Sequence, residues 1–290
     1  MTVAPGVLYV VATPIGNLGD ISARALQVLR EVELIAAEDT RHSRQLLQHF
    51  GISTPLISLH EHNEQSRIPQ LLSHLRQGKS LALISDAGTP LLSDPGFQLL
   101  RSLREQGLRA VPIPGPSSLL AALSVAGLPT DRFVFEGFLP AKAGARRHRL
   151  EFLATEERTL VFFESSHRIQ ASLRDMAKVF GADRRAVIAR ELTKVFEEIH
   201  GATLAELCDW LTAAENRCKG EFVILVQGAP PPAAAPELEP RRLLAALLEE
   251  LPIKRAVAMA ARLTNIKKNQ LYDLALEIQG RARDLSVQED

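Results

Sequence analysis

Two carboxylates, Asp86 and Asp94, punctuate the stretch LISDAGTPLLSDPGF at residues 83–97. The apolar run ahead of Asp86 reads as a buried strand, and Gly88, Pro90, Pro95 and Gly96 supply turn chemistry after it. Two further loops have the same character: ATPIGNLGD (12–20) and PIPGPSS (112–118). The first matches neither G-x-G-x-x-G nor G-x-x-x-x-G-K-[ST], and none of the three contains lysine. A site with carboxylates and no cation repels phosphate. It suits a ligand with a positive centre, or one rich in hydroxyl and amino donors. For Asp94 a simpler reading competes: an N-cap aspartate with Pro95 at the first helical position.

The elements that must carry these loops are legible as alternating segments. Strand-like runs fall at 8–13, 33–39, 56–60, 81–86 and 108–114, with helical patterns at 22–32, 40–50, 66–78, 94–107 and 116–127. That alternation predicts an α/β domain with a parallel sheet over residues 1–128, with ligands beyond the carboxyl ends of its strands. A second α/β domain is expected over 129–228, from strand candidates at 133–138, 159–165, 184–192, 195–201 and 220–228. Only Thr193 and Lys194 separate two of these runs, which predicts an antiparallel hairpin and a mixed sheet. Residues 229–240, rich in Pro and Ala, read as an extended linker. Residues 241–290 read as a small basic helical domain with helix-turn-helix rhythm: a break near Thr264-Asn265, then Leu271, Leu274 and Ile278 facing inward.

Composition excludes several classes. The 290 residues hold 34 basic and 34 acidic side chains, so nucleic-acid contact must come from local patches. Cys208 and Cys218 lack metal or redox spacing and read as free thiols. No apolar run approaches the ~20 residues of a membrane span. The N-terminal stretch does not read as a signal peptide, which predicts a cytoplasmic protein. Taken from its chemistry alone, the acidic loop suits a sulfonium cofactor such as S-adenosyl-L-methionine, whose cation and ammonium favour carboxylate oxygen.

A set of motifs carries a resemblance. LYVVATPIGNLGDIS, AAEDTRHSRQLL, LISDAGTPLLSDPG, PIPGPSSLLAALSVAGL, FEGFLP, FFESSHRI, ARELTKVFEEIHG and KGEFVILVQG together resemble the ribosomal RNA small subunit methyltransferase I family, over roughly residues 7–228. The resemblance implies the tetrapyrrole-methylase fold, with S-adenosyl-L-methionine folded into a cleft between two α/β domains. It implies 2′-O-methylation of a cytidine ribose (position 1402) in 16S rRNA of the small ribosomal subunit, and a homodimer. Carried over residue by residue, it points to Asp86, Ala87, Gly88 and Pro90, to Ser117 and Ser118, to Phe138 and Leu139, and to Ala189 and Phe222 as cofactor contacts. TPIGN is then the loop bordering the acceptor.

Transfer to a 2′-hydroxyl calls for alignment and for a base. Asp39, Arg41 and Glu64 are the selected candidates, with Glu38, His60, Glu61 and His62 beside them. Asp39 has an equally simple reading as a helix cap. The HEHNE cluster has metal-like residues, but the spacing favours an ordinary polar loop, and no metal is expected. Glu164 and Arg168 are expected to form an ion pair. For RNA, Lys142, Arg146, Arg147 and Arg149 form one basic run, and Lys254, Arg255, Lys267 and Lys268 another, in a tail segment with net charge +5 from Arg241 to Lys268. Two alternatives remain open at this level. One is a small-molecule (tetrapyrrole-type) methyltransferase of the same fold. The other is a DNA-binding, ligand-sensing regulator.

Overall fold

The computed structural model describes residues 3–231, 240–264 and 266–286, with side chains as far as 278. The first sheet contains β1 (Val7–Val11), β2 (Leu34–Ala37), β3 (Leu56–Ser58), β4 (Leu81–Ile84) and β5 (Arg109–Ile113), in the order β3-β2-β4-β1-β5. Every pairing in it is parallel. Five helices follow these strands: α1 (Ala23–Glu31), α2 (Thr40–His49), α3 (Glu64–Arg76), α4 (Phe97–Glu105) and α5 (Ser118–Val125). Ser22 caps α1 through the Ala25 N–H, and Asp39 caps α2 through the Arg41 N–H. Strand β4 is buried along its whole length, as a central parallel strand covered on both faces must be. The chain runs from β1 to one side of the sheet and from β4 to the other, so the strand order reverses between these two neighbours.

Helix α4 starts later than the sequence predicts. Gly96 occupies its N-cap, and Asp94 caps nothing there. Leu91 and Ser93 take left-handed backbone (φ 79° and 70°), which holds this segment out of the helix. A buried first-turn donor without an intrahelical partner is satisfied instead from α3: Glu64 accepts the Leu99 N–H at 2.9 Å.

The second sheet contains β6 (Phe133–Phe138), β7 (Thr159–Ser165), β8 (Arg185–Arg190), β9 (Glu198–Thr203) and β10 (Glu221–Val226), in the order β6-β7-β10-β8-β9. Only β6 and β7 are parallel, so the sheet is mixed. Helices α6 (Ala143–Leu153), α7 (Ile169–Phe180) and α8 (Leu204–Thr212) accompany it. Strands β8 and β9 are antiparallel, as expected. Their connection, however, is not two residues: it runs from 191 to 197. An ion pair between Lys194 and Glu191 folds this segment into a loop.

Alternation along β10 explains how the sheets meet. Phe222, Ile224 and Val226 face a core shared with α6, α7 and α8. Val223 and Leu225 face the opposite way, onto Leu119, Ala122 and Leu123 of α5 and onto Ile15. The two sheets therefore share one apolar layer and lie within a single compact unit, Met1–Ala229. Each buried Val, Leu or Ile of this layer contributes about 1.5–3 kcal/mol.

A second unit spans Pro230–Asp290. It holds α9 (Pro240–Glu250), α10 (Ile253–Leu263) and α11 (Lys268–Ser286). Leu244, Val257, Ala260, Leu271 and Ala275 form its own small core, with Leu274 and Ile278 packed against them. Most of the expected linker, and Asn265 at the expected break, lie outside the described residues.

Candidate active site

The loops after β1 and β4 meet at the point where the strand order reverses. Thr13 and Gly88 form a two-way backbone bridge there, at 2.9 and 3.0 Å. The Thr13 hydroxyl donates to the Ser85 carbonyl, and the Thr89 hydroxyl to the Pro116 carbonyl of the loop after β5. These bonds tie all three turn-rich loops into one rim. Asp86 extends the network, accepting the Asp39 backbone N–H at 3.0 Å.

Beside this rim, between the two sheets, lies a cavity of about 550 Å³. Among the described residues five carboxylates line it, Glu38, Asp86, Asp94, Glu164 and Glu221, and no Lys, Arg or His does. Glu164 is paired with Arg168 (3.1 Å) and Glu221 with Lys194 (2.7 Å). The other three have no cation against them among the described residues. Burial pushes Glu38 above the ordinary carboxylate range; the charges of Asp94 and Asp86 add to the rise, and the Asp86 N–H opposes it. Burial likewise raises Asp94, against a hydrogen bond from Ser85 and with the Asp86 charge adding. Carboxylates raised in this way gain from any cation or hydrogen-bond donor placed in the cavity. The donor set therefore fits an organic cation carrying hydroxyl and amino groups. It does not fit a phosphate.

The residues chosen from sequence divide clearly. Asp86, Ala87, Gly88, Ser117, Ser118, Phe138, Ala189 and Phe222 line the cavity. Pro90 is buried and does not line it. Leu139 belongs to the core against α6 and α7; its carbonyl accepts from Arg168. Among the acid–base candidates, Asp39 is the cap of α2, and the Arg41 side chain is 91% exposed. Glu64 is the largest departure. It is 5% exposed, away from the cavity, and is spent on the N-terminus of α4. Glu38 is the member of AAEDTRH that lines the cavity. His60 contributes to a local turn, its Nε2 lying 3.0 Å from Asn63 Nδ2.

Sequence reasoning passed over part of the wall. Ser93, Ser165, Ser166 and Leu192 line the cavity, and so does Glu164, whose spacing to Arg168 suggests only an ion pair. The available signal was position: FESSH continues directly from β7 at the level of the other loops.

The basic run on α6 is also divided. Arg146 is buried and paired with Asp175 at 2.7 Å, so it is not on an RNA-facing surface. Arg149 is bound to Glu136 at 2.6 Å. Lys142 is exposed, and Arg147 is half exposed, 3.8 Å from Asp175. In the second unit Lys254, Arg255, Lys267 and Lys268 are all exposed.

Residues 7–208 match the family described as Tetrapyrrole (Corrin/Porphyrin) Methylases. The fold agrees with solved structures: cobalt precorrin-4 methyltransferase, a cobalamin biosynthetic enzyme, superposes with a TM-score of 0.58 at 18% identity, over 77% of this chain and 95% of that one. Uroporphyrin-III-C-methyltransferase from Thermus thermophilus gives 0.52 at 18% identity, over 77% and 94%. The two sheets are thus those of the tetrapyrrole-methylase fold, and the chain is a methyltransferase of that class. Residues 234–279 match the RsmI C-terminal HTH domain. Proteins named ribosomal RNA small subunit methyltransferase I are 57% identical in Pseudomonas aeruginosa (96% of this chain, 99% of the relative) and 46% identical in Synechocystis (94% and 99%). The chain belongs to the ribosomal RNA small subunit methyltransferase I family.

Proposed function

We propose that the chain methylates the ribose 2′-oxygen of a cytidine, position 1402, in 16S rRNA of the small ribosomal subunit, with S-adenosyl-L-methionine as methyl donor. The observation that carries the reading is the cavity at the reversal of strand order, lined among the described residues by five carboxylates and no Lys, Arg or His. Near full-length similarity to relatives bearing the rRNA methyltransferase name supports RNA over a small-molecule acceptor.

When bound, S-adenosyl-L-methionine supplies an electrophilic methyl group on a sulfonium centre. Asp86, Ala87 and Gly88, Ser117 and Ser118, and Phe138, Ala189 and Phe222 are the residues that would hold it. Asp86 and Asp94 offset its positive charge. Glu38 takes the proton of the ribose hydroxyl: it lines the cavity, and its raised affinity for a proton suits a base better than an ordinary carboxylate. Lys142 and Arg147, with the exposed cations of the second unit, bind the rRNA backbone. The target nucleotide is drawn out of its surroundings to enter the cleft. The resemblance supplies a homodimer, which light scattering in solution tests; the N-terminal sequence supplies the cytoplasmic setting. Among the described residues no helix is long and apolar enough to cross a membrane.

The test is direct. Purified protein is incubated with isolated small subunits and methyl-labelled S-adenosyl-L-methionine, and nuclease fragments of 16S rRNA are read by mass spectrometry. One 2′-O-methylcytidine is expected. Label on a base, or on free tetrapyrrole alone, would refute the reading.

A further inference from the structure

Lys194 stands where loops of the two sheets meet. Its ammonium lies 2.9 Å from Glu191 Oε1 and 2.7 Å from Glu221 Oε2. Glu191 in turn accepts the Glu221 N–H at 3.0 Å. The Lys194 stem crosses Gly16 of the TPIGN loop so closely that a Cβ there would lie 2.3 Å from Lys194 Cγ. Gly220 makes the matching room for Glu191, whose Cγ would be 2.5 Å from an added Cβ. The loop takes left-handed backbone at Glu191 (φ 50°) and Thr193 (φ 65°). Such conformations persist at non-glycine residues where the surroundings over-determine them.

This assembly is not needed to join the sheets. The apolar layer of α5, Ile15 and the second sheet already does that. What Lys194 adds is local. Ile15 lines the cavity from one side, and Leu192, Gly220 and Glu221 from the other. Lys194 bridges these two walls, fixed at its tip by the carboxylates and along its stem by Gly16.

We infer that Lys194 is a positioning residue for methyl transfer, holding the TPIGN loop at a set distance from the start of β10; the inference rests on the function proposed above. Misplacing a wall by an ångström costs far more in turnover than in affinity. Lys194→Ala is expected to lower kcat on small subunits about tenfold or more, with the Kd for S-adenosyl-L-methionine changed by less than about threefold. Lys194→Met keeps the stem and is expected to fall between Ala and wild type. In Gly16→Ala/Lys194→Ala the two losses should not multiply, because truncating Lys194 relieves the clash that the added Cβ makes with its stem. Hydrogen exchange of free protein gives a readout independent of any substrate: amides 14–17 should exchange faster in Lys194→Ala, while those of β1 and β4 do not.

Unchanged exchange at 14–17 would overturn the clamp whatever the acceptor proves to be. Equal loss of turnover and cofactor affinity would reduce Lys194 to general support. A Met variant as poor as Ala would overturn the role given to the stem. Absence of wild-type methylation would count against the proposed function, and the exchange result would still decide the clamp.

Discussion

The Asp86 carboxylate accepts the backbone N–H of Asp39 at 3.0 Å, so a residue in the loop just past β4 also fixes the start of α2. One side chain thus serves the cavity and the framework, and the two roles can be separated. Asp86→Asn keeps an acceptor for Asp39 and loses the charge. Its thermal midpoint should match wild type while calorimetry shows weaker binding of S-adenosyl-L-methionine. Asp86→Ala should do both kinds of damage, leaving a part-buried N–H unpaired at a cost of about 1–2 kcal/mol. Equal binding by the Asn variant and wild type would remove the charge from the account.

Glu38 gives a prediction in pH. Its folded pKa is raised, so the folded state binds more protons than the unfolded one between the ordinary carboxylate value and the raised one. Its ionisation therefore costs stability as pH rises through that window, and the cost is absent below it. Glu38→Gln should raise the thermal midpoint at neutral pH and lower kcat about 10²-fold or more. The acidic limb of the wild-type pH–rate profile should be missing from the residual activity. A variant with wild-type turnover would exclude Glu38 as the proton acceptor.

Glu64 predicts the opposite pattern. It is buried and hydrogen-bonded to the first turn of α4, away from the cavity. Glu64→Ala should destabilise the fold by about 1–3 kcal/mol in urea unfolding. Below the unfolding transition its kcat should stay within a few-fold of wild type. A large loss of turnover without loss of stability would return Glu64 to the chemistry.

The α6 cations should part company. Arg146→Ala leaves Asp175, itself 6% exposed, with only Arg147 at 3.8 Å, and should cost about 3 kcal/mol. Lys142→Ala should leave stability unchanged and weaken subunit binding, lowering the salt slope of log K by about one if Lys142 contacts a phosphate.

How far the sequence reveals this fold depends on the range of the forces involved. Short apolar runs and amphipathic intervals locate every strand of both sheets, because burial on one or two faces is written into local periodicity. The hairpin loop misleads for a different reason. Val195-Phe196-Glu197 after Thr193-Lys194 has strand-like character, but Lys194 bonds to Glu221, distant in sequence, and those residues stay in the loop ahead of β9. Glu64 and Arg146 fail in the same way. Each looks available until a partner from another helix, Leu99 or Asp175, claims it. Asp86 was legible because its role begins at a strand end that the sequence marks. The cavity wall at Ser165 and Ser166 was less so, because only packing of the second sheet on α5 brings it opposite the first.

The position of β10 has a consequence for synthesis on the ribosome. It lies between β7 and β8 yet is translated after both. Until Glu221–Val226 emerges, the nascent second sheet carries two unpaired inner edges. At about 5–20 residues per second that interval lasts several seconds from the completion of β7. Edges of this kind recruit neighbouring chains. A pause just upstream of residue 221 should therefore make the polypeptide dependent on chaperones, and a pause downstream of 226 should not.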